Sequence, residues 1–331
     1  MRYRTLGTRQ VSALCLGTLP LGSAVDETTS FALLDRFVER GGTFVDTANC
    51  YCFWRAGSDG GDSERLLGRW LAARGNREEM VLATKLGALP AGAGAWPANR
   101  EGLSAGAVRK AIGGSLQRLR TDRVELVYGH VDDPSTALEE TVAAFAGLIE
   151  DGLAEVVGMS NQGVERFTRA RELARLMRVP GYGALQQRHT YLRPGPEADF
   201  DYQVALDEPM LAYARSRPDL TVLAYGALLN GAYTEPAKAL PAEYQHSGTA
   251  HALKVLAEVA AEADATPNQV VYAWMLGDSP AVVPVIGVSR ISQLDEALDA
   301  VELELTAEQR ARLDTARSEI RAEAEETGER L

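Results

Sequence analysis

Two kinds of hydrophobic pattern alternate along this chain. Short unbroken apolar runs, such as Leu14-Cys15-Leu16, Val81-Leu82-Ala83 and Leu126-Val127-Tyr128, are separated by longer stretches in which apolar residues return every three or four positions. The first kind predicts buried strands at 14–18, 43–46, 80–85, 124–129, 154–159, 183–187, 220–225 and 282–286. The second predicts helices at about 27–40, 62–74, 104–120, 135–151, 163–177, 207–216, 249–263, 267–277 and 290–300. In the first helix Phe31, Leu34 and Val38 share a face and Gly41-Gly42 supplies the stop. Strands that are apolar without alternation are covered on both sides, as in a parallel sheet sheathed by helices. The eight strand-helix units, with no Gly-x-Gly-x-x-Gly after the first strand, favour a closed (β/α)8 TIM barrel over a doubly wound sheet.

Tyr3-Arg4-Thr5, the turn at Gly7-Thr8 and Gln10 to Leu14 read as an N-terminal β-hairpin. Residues 306–323 read as an extra C-terminal helix, with an acidic, frayed end from Ala324 to Glu329. The connections 47–61, 86–103, 188–206 and 226–248 all follow strands, so the long loops gather on the C-terminal face of the barrel. No linker divides the chain, and residues 1–331 are expected to form one domain.

Composition narrows the function more than the fold. The 331 residues are 46% hydrophobic and 24% charged, with a net charge of −12, a sign that disfavours nucleic acid or an anionic membrane as partner. The three cysteines, Cys15, Cys50 and Cys52, are an odd number and suggest a reducing, cytoplasmic setting. Cys50 and Cys52 together with His130 lack the spacing and the fourth ligand of a zinc site, so no metal is expected. No run is long and apolar enough for a signal peptide or a membrane span.

The chemistry lies at the strand ends. Phe44-Val45 runs into Asp46 with Tyr51 in the loop beyond, another run ends in Lys85, and a third ends in His130. In a parallel barrel these ends converge on one face. Taken singly, Asp46 could be a helix cap, Tyr51 a surface aromatic, Lys85 a solvated strand end and His130 a core imidazole. Phe53, Trp54 and Trp96 on the long loops could wall a substrate pocket or anchor the loops to the rim.

In combination and order, Asp46-Thr47-Ala48 with Tyr51, Ser63-Glu64-x-x-Leu67-Gly68, Ala83-Thr84-Lys85, His130-x-x-Asp133-Pro134, Gly158-Met159-Ser160-Asn161, Gln186, Leu223-Ala224-Tyr225-Gly226 and Ile286-Gly287-Val288-Ser289 resemble the aldo-keto reductase superfamily over essentially the whole chain. The resemblance implies NADP(H)-dependent reduction of a small-molecule carbonyl. Tyr51 would be the proton donor, Lys85 would lower its pKa, Asp46 would hold Lys85, and His130 would orient the carbonyl. It further implies that Ser160, Asn161 and Gln186 meet the nicotinamide carboxamide and that Tyr225 stacks on the ring. Ser289, Arg290, Gln293 and Glu296 would meet the adenosine phosphate, and Gly17, Thr18, Asp46, Gly226, Leu228 and Gly287 would complete the cofactor contacts. Arg290 would select NADPH over NADH unless Asp295 or Glu296 pairs with it. The chain departs from the family at Ala297, where asparagine is common, and at His189, where many members carry an aromatic ring. A regulatory nicotinamide-binding subunit, like the potassium-channel β-subunits of this superfamily, is the alternative; within enzymes a specialised keto-sugar or polyketide ketoreductase is another.

Overall fold

The structure, a computed structural model, describes residues 1–328 except Pro236, with side chains described as far as Arg317. The chain opens with β1 (Tyr3–Leu6) and β2 (Arg9–Ser12), paired antiparallel with Tyr3 opposite Ser12. Then come β3 (Cys15–Gly17), α1 (Glu27–Glu39), β4 (Phe44–Asp46), α2 (Asp62–Arg74), β5 (Val81–Leu86), α3 (Ala105–Leu119), β6 (Val124–Gly129), α4 (Leu138–Glu150), β7 (Ala154–Ser160) and α5 (Val164–Met177). The second half adds β8 (Tyr182–Arg188), α6 (Glu208–Arg215), β9 (Thr221–Tyr225), α7 (Thr249–Glu262), α8 (Pro267–Leu276), β10 (Val282–Gly287), α9 (Ile291–Asp299) and α10 (Ala307–Gly328). Strands β3 to β10 close into a parallel barrel, β10 pairing with β3.

Side-chain alternation divides the core in two. Cys15, Phe44, Val81, Ala83, Leu126 and Tyr128 point into the barrel, and Leu6 and Val11 of the hairpin pack against them from below. Leu16, Val45, Leu82, Val127, Leu185 and Ile286 face outward into the layer between strands and helices. Tyr128 needs room inside: a Cβ on Gly158 would lie 2.5 Å from its ring, so glycine is required where β7 passes.

The structure differs from the sequence expectation where side chains compete for the backbone. Helix α4 starts at Leu138, not at 135, because Asp133 accepts the Ser135 N–H at 3.1 Å and the Thr136 hydroxyl at 2.8 Å, holding the chain in a turn. Strand β2 stops at Ser12, short of Leu14: Ser12 Oγ donates to the Leu14 carbonyl at 2.7 Å and accepts the Phe44 N–H at 3.2 Å, steering the chain from hairpin to barrel. Helix α10 continues to Gly328, so residues 324–328, expected to fray, extend it; residues 329–331 lie outside the described residues. Among the described residues no helix is long and apolar enough to cross a membrane.

Candidate active site

The barrel brings the four strand-end residues together. Asp46 closes β4, Lys85 sits one residue from the end of β5, His130 follows β6, and Tyr51 returns on the loop after β4. The Lys85 ammonium donates to Asp46 Oδ1 in a close ion pair, to the Thr47 carbonyl at 2.9 Å and to the Tyr51 hydroxyl oxygen at 2.7 Å, using its three protons. Asp46 Oδ1 also accepts from Tyr51 at 3.3 Å, while Oδ2 accepts from Gln186 Nε2 at 2.9 Å across the barrel. The pair is sealed, with 1% of the Lys85 side chain and 0% of the Asp46 side chain exposed. The Tyr51 and His130 rings meet edge to face at 6.0 Å.

Electrostatics sets the protonation states of these groups. Burial, followed by the Asp46 charge, pushes the Tyr51 phenol well above its ordinary pKa. The Lys85 cation 2.7 Å away is outweighed by that burial and by the carboxylate 3.3 Å away. The phenol is therefore held protonated. Burial and the Lys85 charge push His130 down to about 3, so its imidazole is neutral at pH 7. Burial also pushes the Cys50 thiol up to about 12, and its sulfur lies 3.3 Å from His130 Nδ1. A protonated thiol can donate to Nδ1, a pairing that leaves the ring proton on Nε2, available to a carbonyl oxygen. The sequence set Cys50 beside His130 only as a zinc site to be dismissed and gave it no part in catalysis.

The residues matched to the nicotinamide ring also gather at the mouth. Asn161 donates to the His130 carbonyl at 2.9 Å and to Ser160 Oγ at 3.2 Å, and its Oδ1 accepts the Tyr225 hydroxyl at 2.6 Å and the Val204 N–H at 3.2 Å. Thr18 is different: fully buried, it donates to the Asp46 carbonyl at 2.9 Å and joins Ser63 at 2.7 Å, tying α2 to β3 and β4. The Ser63-Glu64 motif belongs to the same frame, with Glu64 accepting from Thr84 and Arg118, each at 2.6 Å.

Helix α9 carries the matches to the adenosine phosphate. Arg290 occupies its N-cap position without a side-chain cap bond, and Gln293 Oε1 accepts the Ser289 N–H at 3.0 Å. Asp295 is taken by Arg36 and Arg40, and Glu296 by Thr266 and Asn268, so neither pairs with Arg290. Its nearest carboxylate is instead Glu235, at 3.9 Å, and 65% of the Arg290 side chain is exposed. A Cβ on Gly287 would meet open space, Gly226 bends the chain at φ +73°, and Leu228 precedes a 3-10 turn over Leu229–Gly231. Asn268, unremarked in the sequence, is 5% exposed, and its Oδ1 has no hydrogen-bond partner among the described residues. That lone acceptor beside the Glu296 carboxylate suits an amino group. Together with the uncapped start of α9, it fits the adenosine end of a dinucleotide.

Beside Tyr51 the aromatics form a wall. Phe53 lies 5.2 Å from Trp54 and 5.8 Å from Trp96, and Trp96 lies 4.6 Å from Tyr202, which sequence reasoning passed over. Trp96 is anchored through Nε1 to the Ala88 carbonyl at 3.0 Å, whereas Trp54 is 59% exposed. The three cysteines are free and buried, and no described group of three or more His, Cys, Asp or Glu residues could hold a metal ion.

Comparison with known proteins agrees with this architecture. The chain is 32% identical to a norsolorinic acid reductase of Emericella nidulans over 91% of this chain and 76% of that protein. It is 32% identical to an uncharacterized oxidoreductase of Bacillus subtilis, covering 93% of both. It is 30% identical to an aryl-alcohol dehydrogenase of Pestalotiopsis microspora, over 90% of this chain and 77% of the other. A thermostable aldo-keto reductase crystallised with the inhibitor epalrestat has the same fold, with a TM-score of 0.73 at 24% identity, covering 96% of this chain and 100% of that one. The aldo/keto reductase family pattern matches residues 13–318, and the chain belongs to that family.

Proposed function

We propose that the protein reduces an aldehyde or ketone to an alcohol with NADPH, using Tyr51 as the proton donor. The observation that carries this reading is the phenol kept protonated at the barrel mouth with its oxygen 2.7 Å from a buried ammonium. A nicotinamide held there would supply the hydride for the carbonyl carbon. The chain supplies the rest. His130 Nε2–H and the Tyr51 hydroxyl converge on the carbonyl oxygen; as negative charge builds there, Tyr51 passes its proton to it. Lys85 then faces the phenolate and stabilises it, Asp46 keeps Lys85 in place, and solvent returns the proton. Ser160, Asn161 and Gln186 would hold the carboxamide, Tyr225 the ring, Arg290 the ribose phosphate, and Glu296 with Asn268 would accept from the adenine amino group.

The wall of Phe53, Trp96 and Tyr202 supports an aryl carbonyl as substrate, in keeping with the name of one relative, the aryl-alcohol dehydrogenase. The test is a carbonyl panel followed by NADPH absorbance, spanning aryl aldehydes, aryl ketones and short aliphatic carbonyls. Turnover of the aryl compounds with NADPH ahead of NADH is expected. Tight NADPH binding without turnover of any carbonyl would overturn catalysis and leave the regulatory alternative.

A further inference from the structure

The long loop after β8 doubles back on the strand that launched it. The Arg188 N–H donates to the Val204 carbonyl at 3.1 Å, the Leu206 N–H donates to the Arg188 carbonyl at 2.8 Å, and Ala205 pairs in parallel with Arg188. Just before this pairing comes a turn. Asp201 adopts φ +57°, Asp199 Oδ1 accepts the Asp201 N–H at 2.8 Å, and the Phe200 carbonyl accepts the Gln203 N–H at 3.0 Å. That turn presents Tyr202 to the site. Its ring packs, as do those of Tyr51 and Phe53, against Ala48, Cys50, Ala88 and Val131, and it meets Trp96 edge to face at 4.6 Å.

Burial alone does little to hold this turn. Asp199 and Asp201 are exposed, and Phe200, Tyr202 and Gln203 are only half-buried. A left-handed aspartate also needs its surroundings to keep it there. The side chain that grips the turn is Arg188. Its Nη1 donates to Gln203 Oε1 at 3.0 Å, next to Tyr202, and its guanidinium lies 4.7 Å from the centre of the Phe200 ring. Its Nε donates at 3.1 Å to the hydroxyl of Tyr244, a buried residue that ends a 3-10 turn over Ala242–Tyr244. The guanidinium is thus braced on the loop after β9 while it holds the loop after β8. A planar fork can bond along its edges and stack on its face at once, which an ammonium cannot.

We propose that Arg188 is a positioning residue that sets substrate specificity: by pinning residues 200–206 it fixes Tyr202 opposite Trp96, and with it the preference of the site for aryl over short aliphatic carbonyls. The inference rests on the proposed reaction and its aromatic wall. Arg188 acts through Tyr202 and not on the reacting atoms, so its loss falls on the binding of the aryl group while the transfer step survives.

The test compares benzaldehyde with propanal, both with NADPH, in Arg188→Met. The KM for benzaldehyde should rise by about tenfold or more, while its kcat and both constants for propanal stay within about twofold. Gln203→Met removes the acceptor from the other side and should shift selectivity the same way; it carries the test if Arg188→Met does not fold. Arg188→Lys should recover part of the loss. In a Tyr202→Ala background Arg188→Met should add less than about twofold, since both act through one ring. Hydrogen exchange reads the pin without any reaction: amides of 200–206 should exchange at least about tenfold faster in Arg188→Met, with those of β4, β5 and β6 unchanged. If the unmodified protein reduces neither carbonyl, the proposed reaction fails and exchange alone decides the pin. Equal losses for benzaldehyde and propanal, full additivity with Tyr202→Ala, or unchanged exchange of 200–206 would each overturn the inference.

Discussion

Replacing Lys85 with methionine tests the proposed proton transfer most directly. A full positive charge 2.7 Å from the Tyr51 oxygen is worth about 6 kcal/mol to a full negative charge there, at an effective dielectric of about 20. The Asp46 carboxylate 3.3 Å away opposes it by about 5 kcal/mol on the same scale. The two nearly cancel, which leaves burial to decide that the resting phenol keeps its proton. If about half the charge has formed at the transition state, losing Lys85 costs about 3 kcal/mol, roughly a hundredfold in kcat. Asp46→Asn removes the opposing charge, so its kcat should fall less than that of Lys85→Met. It should nevertheless unfold more easily, by about 3–5 kcal/mol, because Lys85 is left buried without its partner. Tyr51→Phe should lose about a hundredfold or more while NADPH affinity holds, and adding Lys85→Met to it should cost little more, since both act through one hydroxyl. Single-turnover rates on the three variants and the double decide the matter. Unchanged kcat in Lys85→Met, or full additivity with Tyr51→Phe, would refute the reasoning.

Other outcomes follow from the same geometry. Arg290→Ala should raise the NADPH dissociation constant by about tenfold and leave NADH nearly unmoved, and Glu235→Gln should tighten NADPH slightly; fluorescence titration with both cofactors checks this, and equal losses for the two would put the phosphate elsewhere. Cys50→Ala should lower kcat by roughly tenfold at most through the His130 tautomer, with Cys50→Ser retaining more; equal rates in the two would show the thiol to be filler. His130 and His189 are each held down at about 3 by burial against 6.5 in the unfolded chain. Below pH 6.5 the unfolded state thus binds protons that the folded state refuses, and stability falls as pH drops from about 6.5 towards 3, by up to about 1.4 kcal/mol per pH unit for each residue. Urea midpoints at pH 7 and pH 5 should differ accordingly, and identical midpoints would mean that these rings take up protons in the folded state.

The barrel was legible because each interior strand is an apolar run, and Asp46 and Lys85 stood out because a run buried on both faces has no other reason to end in a charge. What stayed hidden depends on closure. Gln186 reaches Asp46 over 140 positions of sequence, and only the ring of strands makes them neighbours. The partner of Arg290 was sought more than one turn along its own helix, but Asp295 is claimed by Arg36 and Arg40 of α1 and its terminus, and Glu235 comes from the loop after β9. The start of α4 was misread because apolar periodicity carries no record of Asp133 taking the backbone for a turn. Asn268 and Cys50 carry little signal of their own; an unpaired oxygen and a thiol beside an imidazole exist only in three dimensions.

The hairpin at the foot of the barrel decides how traffic moves. With Leu6 and Val11 pressed under Phe44, Leu126 and Tyr128, the interior is a blind shaft. In the proposed reaction, substrate, product and the proton returned to Tyr51 would all pass through the top of the barrel. On that reading an alcohol standing there would also stand in the way of the proton, since none can reach the phenol from beneath, and clearing the product and resetting the acid would become a single event.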